Sequence, residues 1–309
     1  MNSATRVAYS EALVELAGTN PDVVVLDADL AAATKSGAFK EVAPERYFDM
    51  GIAEADMIGT AAGLASCGKI PFATSFAVFS TGRAFEQIRN AVAYPNLNVK
   101  VVGTHAGPSC GEDGASHQSV ADIAVMRALP NMTVLVASDD VEAHAMTLAA
   151  ADYVGPQYLR FSRLAAPTFH SDDYRFELGK GELLREGDDI TIIACGLMVV
   201  RALDASDVLA SLGIGARVIN MPTIKPIDEE LIVESAQKTG KIITVEEGNI
   251  IGGLGSAVAE VLSEQCPTLL RRIGMPDCFG KSGDGNALLE EYGLSSKHIV
   301  EVATSMVSR

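Results

Sequence analysis

Three short segments hold residues whose types could do chemistry together. The first, Gly51-Ile52-Ala53-Glu54-Ala55-Asp56-Met57, puts a carboxylate at the head of a helical run of small residues, Gly59-Thr60-Ala61-Ala62-Gly63. The second, Phe76 to Gln87, carries the aromatics Phe76 and Phe79 three residues apart. The third, Thr104 to Gln118, crowds His105, Glu112, Asp113 and His117 into one loop, as Gly-Glu-Asp-Gly-x-Ser-His-Gln at its far end. Imidazoles donate to hydroxyl or carbonyl oxygens and exchange protons near neutral pH. An arginine fork such as Arg163 suits phosphate. Each residue also has a plainer reading. A first-turn glutamate is commonly there for the helix dipole. Aromatics spaced i, i+3 are usually core, a reading that stands for Phe85. Glu112-Asp113-Gly114 reads alone as a turn that His117 caps. Four polar groups in one loop, together with the other two segments, favour the functional reading.

The elements that must position these residues alternate. Helical periodicity over 4–17, with Ser3 as its cap, precedes a strand-like run at Val23–Leu26. Helices at 53–67, 83–93, 119–128 and 140–151 then alternate with strands at 71–76, 99–104, 133–137 and 157–161. Such alternation predicts an α/β fold: a mostly parallel sheet with helices on both faces. Ligands of parallel sheets sit at the carboxyl ends of strands. Asp27, Asp29, His105 and Arg163 fall there, and Glu54 starts a helix just past Tyr47-Phe48-Asp49. A stretch with Pro167 and paired Asp172 and Asp173 reads as a surface linker. A second α/β unit follows, with strands at 190–194, 216–220, 242–246 and 269–274 and helices at 198–211, 228–238, 253–264 and 298–307. The division is therefore 1–165, linker 166–180, and 181–309.

The three segments, in this order, resemble the transketolase family, specifically its pyrimidine-binding domain followed by its C-terminal domain. Lys225-Pro226-Ile227-Asp228, Glu246–Gly255 and Phe279-Gly280-Lys281-Ser282-Gly283 extend the resemblance to nearly the whole chain. It implies thiamine diphosphate as cofactor. By this resemblance Glu54 hydrogen-bonds the aminopyrimidine ring and favours the tautomer that takes the proton from the thiazolium C2. Burial beside an apolar ring suits a carboxyl that shares a proton. Phe79 stacks on the ring, with Phe76 beside it. Asp113 and His117 contact sugar hydroxyls near the bond that is cut, and His105 and Arg163 hold the distal phosphate. Arg160 ranks below Arg163, because it points to the opposite face from Phe161.

The chain also departs from the family. Ala31-Ala32-Ala33-Thr34-Lys35-Ser36 stands where larger members have a phosphate-binding Ser, so Lys35 or Ser36 becomes the substitute. Gly82 stands where many members carry another aromatic, and Gly248 where relatives often have His. Gly283-Asp284-Gly285-Asn286 imitates the start of the family's diphosphate and Mg²⁺ motif, but no Asn follows it. No metal ligand is therefore assigned here. The diphosphate grip and Mg²⁺ ligands are expected from a partner, an N-terminal transketolase subunit, in an α₂β₂ assembly. Two alternatives within this chemistry are a 2-oxoacid dehydrogenase β-subunit, which lacks the Gly-Glu-Asp-Gly loop, and a 1-deoxyxylulose-phosphate-synthase-like enzyme. A third is a non-catalytic regulatory subunit, which would need none of Glu54, Phe79, Asp113 and His117.

Bulk properties agree. The 309 residues suggest two domains, and 48% apolar residues with a mean hydropathy of +0.21 supply a core. No run reaches the roughly 18 apolar residues of a membrane span, and the first residues lack a signal peptide's plan. Five cysteines lie far apart without metal or redox spacing, which points to a reducing cytoplasm. A formal net charge of −16 opposes nucleic acid and anionic membranes. It leaves room for one anionic substrate held by a few local cations.

Overall fold

A run of β-branched and aliphatic residues, Val23 to Leu26, forms a strand buried on both faces, as a parallel sheet covered by helices requires. It is one of seven strands in the first sheet of this computed structural model, which describes residues 2–308. Across that sheet the order is Thr223–Lys225, Thr133–Val136, Gln157–Arg160, Lys100–Thr104, Ile70–Phe76, Val23–Asp27 and Tyr47–Asp49. Every pairing is parallel except that of Thr223–Lys225 with Thr133–Val136. The second sheet runs Leu269–Met275, Lys241–Asn249, Ile190–Ala194, Ala216–Asn220 and Glu182–Arg185, with only the last strand antiparallel. Helices cover both sheets, so the chain has the two-unit α/β architecture that its periodicity implies. Among the described residues no helix is long and apolar enough to cross a membrane.

The two units are not separate bodies. Thr223–Lys225 leaves the second half to edge the first sheet, and one apolar cluster runs from Met132, Val134 and Val136 to Ile219, Met221 and Ile224. This edge strand, the strand Glu182–Arg185 and the helix Gly285–Glu291 were not evident in the sequence. They are short, and the edge strands lack alternating apolar residues. Ser3 does not cap the first helix. Ala4 holds that position without a side-chain bond, and Asn2–Ser3 pairs with Ala166–Pro167 instead. The turn after Ile70–Phe76 is also irregular: Phe79–Arg83 and Ile88–Ala93 are π-helical.

The segment after Pro167 is fastened rather than loose. His170 bonds Asp139 of the first unit at 2.9 Å and Glu182 of the second at 2.7 Å, with its side chain only 3% exposed. The Tyr174 hydroxyl and the Asn220 amide both donate to the buried Glu142, at 2.7 and 2.8 Å. Burial opposes the charged imidazole, but its bonds to Asp139 and Glu182 outweigh that and raise its pKa to about 10. A pKa raised above the unfolded value of about 6.5 gives stability that is complete below pH ~6.5 and lost as pH climbs toward 10. His170→Ala should therefore lower unfolding stability by about 2–4 kcal/mol at pH 6. The gap between the two melting temperatures should shrink as pH rises to 10. A gap independent of pH would mean that the imidazole is not charged in the folded chain.

Candidate active site

Parallel register brings the site together. Asp27 pairs with Thr74, Phe76 with Thr104, and Gly103 with Arg160, so the residues that follow these strands emerge along one edge. Gly103 must be glycine: a Cβ there would lie 2.5 Å from the Tyr158 hydroxyl and 2.9 Å from Ala77. The next residues, Thr104 and His105, turn onto the edge, with His105 held at a left-handed φ of 56°. Such backbone strain in a non-glycine residue concentrates at functional sites.

Glu54 is the first residue of the helix Glu54–Ser66, where the helix dipole favours its charge, and it is 3% exposed. Arg83 Nη1 donates to both its oxygens, at 3.1 and 3.2 Å. The Arg83 guanidinium lies over the Phe79 ring, 4.4 Å from its centroid. Phe79 stacks on Phe76 with ring centres 5.9 Å apart and planes 9° apart. His117 meets Phe79 edge-on at 5.2 Å. A buried carboxylate thus faces an aromatic pair. An acceptor carboxylate beside an aromatic face fits a flat heterocycle with an N–H or a protonated ring nitrogen.

Beside this seat lies a cavity lined by Arg6, Lys35, His105, Asp113, His117 and Arg163, with Phe76 as shared wall. Arg6 Nη1 donates to His105 Nε2 at 2.9 Å and to the Ala33 carbonyl at 2.5 Å. Because arginine only donates, His105 Nε2 is an acceptor, and Nδ1–H donates to Thr104 Oγ1 at 2.9 Å. Burial, then Arg6 and Arg163, push the His105 pKa down to about 3, so the ring is neutral. Its nearest charged donor is therefore Arg6, whose Nε is buried without a partner. Burial and neighbouring Arg163 lower the Arg6 pKa. Arg163 bonds Asp113 at 2.8 Å and the Cys110 carbonyl at 2.9 Å. Three cations converging on a polar cavity can hold a phosphate or another small dianion.

The second unit props this loop through close backbone approach. Ser109 N–H donates to the buried Glu247 at 3.0 Å, and Gln118 Nε2 donates to the Lys281 carbonyl at 2.9 Å. A Cβ on Gly114 would lie 2.5 Å from Ser282 Oγ, and one on Gly285 would lie 2.9 Å from the Ser109 carbonyl. The Gly283-Asp284-Gly285 run is thus a packing surface and a helix start, with Asp284 capping Gly285–Glu291 through the Ala287 N–H at 3.0 Å. Glu246 has a separate task. It accepts the Leu254 and Gly255 N–H groups at 2.9 Å each, and burial pushes its pKa up to about 7. Burial and Asp113 raise the Cys110 thiol to about 12, which disfavours its thiolate.

Five of the seven sequence-selected residues (Phe76, His105, Asp113, His117 and Arg163) line the cation-rich cavity, and Glu54 and Phe79 meet beside it through Arg83. Arg160 lies apart, 5% exposed and bonded to the buried Asp122 at 2.7 Å. Arg6 and Arg83 were missed. Arg6 left one readable signal: a cation in the first turn of Thr5–Thr19 opposes the helix dipole, a local cost that suggests a task elsewhere. Ser36, one substitute for the absent phosphate-binding serine, instead donates to Asp27 at 2.7 Å within the loop. Lys35, the other, lines the cavity.

Comparison with known proteins gives a consistent picture. Residues 2–168 match the family model "Transketolase, pyrimidine binding domain", and residues 179–299 match "Transketolase, C-terminal domain". A putative transketolase C-terminal section from Methanocaldococcus jannaschii is 49% identical over 96% of this chain and 94% of its own. A 6-deoxy-6-sulfo-D-fructose transketolase subunit from Clostridium sp. is 46% identical over 98% and 94%. One of the subunits of an apulose-4-phosphate transketolase from Phocaeicola vulgatus is 39% identical over 99% and 98%. A solved split-gene transketolase, an inactive beta4 tetramer, superposes with a TM-score of 0.93 at 52% identity, covering 99% of this chain and 98% of that one.

The cavity geometry makes a prediction that needs no enzyme assay. Titration of the chain with sodium sulfate, followed by NMR, should perturb residues around Arg6, Lys35 and Arg163, and Arg6→Met should weaken that binding by about tenfold. The His105 ring signals should stay flat from pH 8 to 5. A His105 titration near pH 6.5 would contradict the Arg6-to-imidazole bond.

Proposed function

The chain belongs to the transketolase family, and from that premise we propose that it is the C-terminal, beta-type subunit of a split transketolase that depends on thiamine diphosphate. In this reading the assembled enzyme moves a two-carbon ketol unit between sugar phosphates. The observation that carries it is the pair of adjoining spaces at one sheet edge, a carboxylate–aromatic seat and a cation-lined cavity, sharing Phe76 and His117. Relatives of nearly equal length that are themselves transketolase subunits support it.

Thiamine diphosphate, when bound, supplies the carbon nucleophile for cleavage and transfer. Glu54 holds the pyrimidine ring through a buried carboxylate that carries or yields the ring-nitrogen proton, and Phe79 and Phe76 fix the ring plane. His117, edge-on to Phe79, and Asp113 face the sugar hydroxyls. Asp113 is also tied to Arg163, so binding near one reorients the other. Arg6, Lys35 and Arg163 take the distal phosphate, and His105 holds Arg6 in place. Among the described residues no group of three or more His, Cys, Asp or Glu side chains is arranged to hold a metal ion. We assign the diphosphate grip and the Mg²⁺ ligands to an N-terminal partner subunit, in an α₂β₂ assembly. Free cysteines at all five positions suit a cytoplasmic setting.

The test is reconstitution. The chain alone, given thiamine diphosphate, Mg²⁺ and a ketose phosphate donor, should show no turnover. Adding a chain that bears a complete Gly-Asp-Gly…Asn motif should restore ketol transfer. Arg163→Ala in that complex should raise the KM for phosphorylated substrate about 10- to 100-fold with a smaller change in kcat. Turnover by the isolated chain would overturn the half-site reading.

A further inference from the structure

Arg83 has no assigned task, yet it sits where the seat is most specific. Its guanidinium is planar, it donates to both Glu54 oxygens, and it lies 4.4 Å above the Phe79 ring. These are the two demands, a hydrogen bond to Glu54 and a face on Phe79, that a seated pyrimidine would meet. Two planar groups cannot occupy that space together. The partners are also unequal: Glu54 is 3% exposed, while the Arg83 side chain is 54% exposed. Arginine can therefore leave toward water at small cost, and the carboxylate cannot.

We propose that Arg83 is a placeholder for the pyrimidine ring: without cofactor its guanidinium closes the seat between Glu54 and Phe79, and it swings into solvent when the ring enters. The proposal rests on the assignment of Glu54 and Phe79 as the ring seat. A buried carboxylate without a partner is costly, and Arg83 supplies that partner here. Local backbone permits the exchange. Arg83 ends the π-helical turn Phe79–Arg83, a geometry frequent at functional sites, and a Cβ on adjacent Gly82 would meet nothing within 4 Å. At Gly82 no side chain stands in the way of a displaced guanidinium. Its contacts with Glu54 and Phe79 are lost as the ring's are made, so cofactor binding is weakened by their worth.

The test is calorimetric titration of thiamine diphosphate, with Mg²⁺ present, into the chain assembled with its N-terminal partner. Arg83→Ala should tighten the dissociation constant about five- to twentyfold, the worth of a half-exposed ion pair with a cation–π contact. Arg83→Lys, which keeps the charge without the planar fork, should fall between Arg83→Ala and the unaltered chain. An unchanged or weaker constant in Arg83→Ala overturns the placeholder. Glu54→Gln made in the Arg83→Ala background separates the seat from the placeholder, because with no guanidinium to release it should only weaken cofactor binding. If that double variant binds as tightly as Arg83→Ala alone, the seat itself is misassigned. If it binds more weakly while Arg83→Ala matches the unaltered chain, the placeholder alone fails.

Discussion

The parallel register of Val23–Asp27, Ile70–Phe76, Lys100–Thr104 and Gln157–Arg160 is the constraint from which the site follows. Pairing of Phe76 with Thr104 puts Phe76 against His105, their rings 3.8 Å apart. A slip of one residue would turn each strand's inward set outward and scatter these groups. The register also demands Gly103, which admits Ala77 and Tyr158 to close packing. Fold and site are thus one specification: buried strands fix where the chain emerges, and short polar loops at their carboxyl ends do the rest.

A second layer of support comes from the C-terminal unit. Glu247, Lys281, Ser282 and Gly285 brace the loop that carries Asp113 and His117, mostly through backbone. His170 and Glu142 tie the segment between the units to both sheets. Few of these contacts touch the two spaces at the sheet edge, yet they set how rigidly the loop presents its polar groups. The C-terminal unit is therefore part of the scaffold that holds the candidate site.

The α/β alternation and Glu54 at a helix start could be read from the sequence, because apolar periodicity and helix entry are local properties. The polar loop was readable too, since its groups are contiguous. Arg6 and Arg83 were not, because each acts with residues distant along the chain: Arg6 meets His105, and Arg83 meets Glu54. The tautomer of His105 depends on Arg6, and its neutrality on burial first and then on Arg6, so both share that obscurity. Gly283-Asp284-Gly285 imitates a ligand motif in the sequence but lacks the following Asn, and it serves as helix cap and packing surface. Short edge strands such as Thr223–Lys225 stayed hidden because pairing, not propensity, makes them.

In the function proposed for the chain, Glu54 drives proton loss from the cofactor's C2. The direct measurement is the rate at which that proton exchanges with deuterium in the assembled complex, read by acid quench and proton NMR without any sugar substrate. Exchange should be slower by about 10²–10⁴ in Glu54→Gln, with cofactor held at saturation. Exchange at the unaltered rate in that variant would contradict it.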